Sequence, residues 1–169
     1  PGTLAADVLT FILGQRNSRF YRRLVDSGLA SSASLHYQTL RYTGPLQAVA
    51  VAAPPQAAAA LAVLREEIAA LGDPDAFSDE ELENAKRQLE TDQIYEAERP
   101  SQLAHVLGYW WAVAGLDYYM DYAAALRQVS RADVQACARR YLIGTPCVTG
   151  ILAGPEHRAL LGSAAEEEG

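Results

Sequence analysis

Leu4, Val8, Phe11 and Ile12 recur at three- and four-residue spacing, which predicts an amphipathic helix over residues 3–13 that closes at Gly14. Ser18 then stands in a capping position, and a short second helix follows with Phe20 and Leu24 turned inward. Its Arg19, Arg22 and Arg23 are left for solvent or an acidic neighbour, and the helix ends near Gly28. From 29 to 40 the period drops to two. Ala33, Leu35, Tyr37 and Thr39 share one face, and Ser32, Ser34, His36 and Gln38 share the other, as in a strand. The Gly44-Pro45 pair favours a turn, so a second run of small and β-branched residues over 46–53 should return antiparallel to the first.

Pro54-Pro55 ends that strand and opens a helix whose apolar stripe is Ala57, Leu61, Leu64, Ile68 and Leu71, with Arg65, Glu66 and Glu67 largely outside it. Gly72-Asp73-Pro74 stops it. Ser78 with Glu81 forms a capping box for a helix that carries Leu82, Ala85 and Leu89 and runs to about Glu96. Helices over 101–115 and 118–128 follow. Ser130 caps a last helix lined by Val134, Cys137, Ala138 and Tyr141, ended by Gly144 and Pro146. Residues 147–153 read as a closing strand. This order, two helices, a hairpin, about five helices and one more strand, predicts an α+β fold: a two-layer domain with a mostly antiparallel sheet packed on several helices.

The 169 residues, half of them apolar, suffice for one core, so residues 3–154 are expected to form a single domain, with its first strand missing if the family pattern described below holds. Residues 155–169, with glutamates at 166–168, are expected to be an exposed acidic tail. Pro1 in place of Met, with no signal-like segment after it, leads us to expect that the gene product begins further upstream. A net charge of −7 opposes binding to nucleic acid. The longest apolar runs, 48–55 and 57–64, are far shorter than the roughly 20 residues a membrane helix needs. Cys137 and Cys147 make neither a disulfide framework nor a metal pattern and are read as small core residues.

No catalytic or metal-binding residue emerges. A zinc site needs about three side chains converging within roughly 2.0–2.3 Å of the metal, whereas His36, His105 and His157 fall on a strand, a helix and the tail. Glu156-His157 looks like the end of an inverted zinc motif, but no histidine stands three residues before Glu156. Ser31, Ser32 and Ser34 lie near His36 in sequence, yet Ser34 and His36 are simply neighbours on one strand face, without a nucleophile elbow. Glu90, Asp92, Glu96 and Glu98 are read as charge on a solvated helix end rather than as an acid–base pair. Gly14 and Asn17-Ser18 are too sparse for a phosphate loop. The aromatic group Tyr109, Trp110, Trp111, Tyr118, Tyr119 and Tyr122 is assigned mainly to core packing, with at least one ring outside it, since consecutive rings point to different sides of a helix.

The passage from Ile12 through Ser18-Arg19-Phe20-Tyr21 to Gly28-Leu29-Ala30 resembles the second, non-catalytic half of pitrilysin/insulinase-type (inverzincin) zinc metallopeptidases. The Glu81-Leu82, Ala85-Lys86 phrase and the Val129-Ser130, Asp133-Val134 phrase continue the resemblance in the same order, to about Pro155. The resemblance implies the LuxS/MPP-like metallopeptidase fold and a clamshell of repeated units in which this chain walls the peptide chamber. Zinc would be held by an upstream half and none by this chain. It further implies an N-terminal zinc-bearing domain or partner subunit, a peptide substrate, a homo- or hetero-dimer, and a bacterial periplasmic setting. Family units begin with a strand before their first helix, which would here precede Pro1. Many active members carry an Arg and a Tyr within the passage matching Leu24 to Ser31. Val25 and Ser31 stand at the corresponding places, so that substrate pair is not carried over and the substrate-binding residues stay unknown. The alternative within the same fold is a structural subunit with no proteolytic role, like the core proteins of respiratory complexes.

Overall fold

Helix α1 (Gly2–Gly14) is the element around which the rest is arranged. In the computed structural model, which describes residues 2–42 and 44–157, it packs on β1 (Ser32–Tyr37), α4 (Asp79–Ala97) and α7 (Arg131–Tyr141) and has Val8, Leu9 and Ile12 wholly buried. An apolar helix buried on several sides is what its nearly unbroken run of Ala, Val, Leu and Ile provides. Ser18 stitches its end to the next element: the buried hydroxyl donates to the Leu13 carbonyl at 3.0 Å and accepts from the Tyr21 amide at 3.0 Å. The second helix is short. One α turn, α2 (Arg19–Tyr21), gives way to a wider π turn over Arg22–Asp26, closed where the Ser27 amide reaches the Arg22 carbonyl. Gly28, at φ +77°, then reverses the chain in a conformation that L side chains rarely adopt.

Strands β1 (Ser32–Tyr37) and β2 (Leu46–Val51) form the expected antiparallel hairpin, with Leu35 opposite Ala48 and Tyr37 opposite Leu46. Ala33, Leu35, Ala48 and Ala50 join the core, while Ser32, His36, Gln47, Val49 and Val51 face outward. After a 3-10 turn at Pro54–Gln56 come α3 (Ala57–Ala69), α4 (Asp79–Ala97), α5 (Pro100–Val113), α6 (Leu116–Arg127) and α7 (Arg131–Tyr141). The capping box at Ser78 and Glu81 forms as expected, and a second joins Ser130 to Asp133, whose carboxyl is held below its ordinary range by those bonds. The result is the α+β architecture read from the sequence, helix-rich with a small antiparallel sheet.

Three expectations are corrected. The buried line of α3 is Ala60, Leu64, Glu67 and then Leu71, with Leu61 and Ile68 only half-buried, because Arg19 and Arg23 rise from the α2 side and draw Glu67 inward. Residues 147–153 form no strand. They are exposed, Val148 and Leu152 fully, and Arg65 Nη2 donates to Thr149 Oγ1 at 3.1 Å. Strand propensity cannot act without a neighbouring strand to take the backbone groups, and among the described residues no strand pairs with this segment. Cys147 lies on it and is therefore exposed, whereas Cys137 is buried. The expected acidic tail past His157 lies outside the described residues.

Candidate functional site

One concave feature among the described residues borders β1 on the side of α1 and α4. It is a groove of about 840 Å³ over Thr10 and Phe11 of α1, Leu35 to Tyr37 of β1, and Asn84, Arg87 and Gln88 of α4. Phe11 and Tyr37 also line a second hollow of about 450 Å³, so the two meet there, and the second is closed by the far end of α4 together with α5 and α6. Each wall follows from local sequence. Asp7 and Phe11 lie one turn apart on α1, Asp92 and Glu96 one turn apart on α4, and the 109–122 aromatics supply α5 and α6.

The second hollow is acidic and aromatic. Asp7 Oδ2 accepts a hydrogen bond from the Tyr122 hydroxyl at 3.0 Å; burial pushes the Asp7 carboxyl up to about 6, and the tyrosine bond opposes this in part. Tyr122 is shifted upward in turn, first by burial and then by the charge of Asp7. Glu96 is raised by desolvation and by its neighbour Asp92. Among the described residues, no Lys or Arg makes an ion pair with Asp7, Asp92 or Glu96. The Tyr109 hydroxyl donates to the Thr39 carbonyl, tying α5 to the end of the hairpin, and Trp110 stacks on Tyr118 with centroids 4.9 Å apart. Trp111 stands outside this group, 73% exposed.

The residues weighed in the sequence do not converge. Ser34 Oγ and His36 Nε2 are 2.8 Å apart on the sheet's outer face, with His36 exposed to solvent. His105 lines the acidic hollow, and His157 lies beside Glu156 at 3.4 Å. Among the described residues no group of three or more His, Cys, Asp or Glu could hold a metal ion. Val25 is half-buried in the π turn, and Ser31 donates to the Val51 carbonyl. Asp92 and Glu96 are half-buried groove residues, not the solvated charge expected, because α5 and α6 fold back over that end of α4; Glu90 pairs with Arg127 at 2.8 Å, and Glu98 is exposed. Asp7 escaped the sequence reading. Its signal was there: it is the lone charge between Pro1 and Gln15, inside an apolar run.

Comparison with known proteins adds the following. The family model described as the peptidase M16 inactive domain matches residues 1–89. The fold is similar to that of a protease from Helicobacter pylori, at TM-score 0.74 and 24% identity, covering 83% of this chain and 34% of that one. It is also similar to a candidate zinc protease from Bordetella pertussis Tohama I, at TM-score 0.73 and 24% identity over 85% of this chain and 80% of that one. The inactive peptidase domain of a candidate zinc protease from Bordetella parapertussis aligns at TM-score 0.76 and 24% identity, covering 92% and 87%. The chain thus spans about a third of the Helicobacter protein and most of the two Bordetella chains. No curated protein matches.

Proposed function

The chain belongs to the peptidase M16 inactive-domain family, and from that premise we propose that it is the non-catalytic C-terminal half of a zinc-dependent endopeptidase, forming one wall of the chamber in which peptides are cut. One observation carries the reading: the family match falls on a chain whose three histidines sit on three separate elements, far from any shared metal-binding arrangement among the described residues. Zinc would be supplied by an upstream domain or partner subunit and would there polarise the scissile carbonyl and its attacking water. What this domain contributes is enclosure. A wall that excludes bulk water and limits how a peptide can lie raises the fraction of productive encounters without touching the reacting atoms.

The test is reconstitution. The zinc-bearing half of the parent protein is assayed for peptide cleavage alone and with this chain. Association together with a rise in chelator-sensitive activity is the expected result. Chelator-insensitive cleavage by this chain alone would sink the non-catalytic assignment, and failure of the two halves to associate would sink the chamber.

A further inference from the structure

We draw no further inference here: the strongest candidate, the acidic and aromatic hollow that Asp7, Asp92, Glu96, Tyr109 and Trp110 line at the end of β1, borders the same sheet to which the strand expected before Pro1 would belong, and nothing in the structure shows what covers it.

Discussion

At the seam between α2 and α3, Glu67 is buried to 3% exposure yet fully matched: Arg19 Nε donates to one carboxylate oxygen at 2.9 Å and Arg23 Nη1 to the other at 2.6 Å. In the groove between α1 and α6, Asp7 is also withdrawn from water, but among the described residues its carboxylate has only the Tyr122 hydroxyl. Both acids sit on apolar helices. The first has its desolvation offset by two opposite charges at hydrogen-bond distance; the second does not, and its carboxyl rises to about 6. A finished packing seam and an unfinished concave surface are thus distinguished by how they treat the same functional group.

The largest effect expected from probing this contrast comes from placing an acid on the finished side without arginines. Leu64→Asp, one turn before Glu67 on the same buried face of α3, should cost roughly 4 kcal/mol or more, enough to unfold a marginal domain. Urea denaturation measures it, and a loss within that of a surface change would mean the helix face is assigned wrongly. Removing the matched acid comes next. Glu67→Ala should cost about 2 kcal/mol, below the ~3–5 typical of a fully buried pair, because Arg19 and Arg23 are about 40% exposed and can rehydrate. An unchanged denaturation midpoint would show that the seam does not depend on the pair.

Asp7→Asn should act in the opposite direction and stabilise by about 1–2 kcal/mol at neutral pH. The folded protein holds the Asp7 proton more tightly than the unfolded chain, in which the carboxyl titrates near 3.8. Its contribution therefore falls as pH rises from about 4 through about 6 and is level above that. The asparagine variant should lose this slope in a series of thermal melts, and a slope that persists would place its source in another group. Smallest of all is Glu66→Ala. Its carboxylate pairs with Arg23 at 2.7 Å but in solvent, so no shift in melting temperature beyond error is expected. A clear loss would mean the α2–α3 seam extends further outward than the buried Glu67.

Periodicity and capping chemistry carried most of this fold from the amino-acid order alone. The α1 spacing, the Ser18, Ser78 and Ser130 caps, the Gly28 reversal and the hairpin alternation are local signals, set by contacts within a few residues, and local signals are legible one segment at a time. The second helix and the family resemblance followed from the same short-range residues. What the sequence could not decide required a partner from elsewhere in the chain. Glu67 looked like a surface acid until α2 brought two arginines over it, and Asp92 and Glu96 looked solvated until α5 and α6 closed above them. Residues 147–153 have the composition of a strand, but a strand exists only where a neighbour accepts its backbone hydrogen bonds. Burial and pairing are properties of two surfaces meeting, so the residues that mattered most for the site, Asp7 with Tyr122 115 positions away, became a pair only in the tertiary structure.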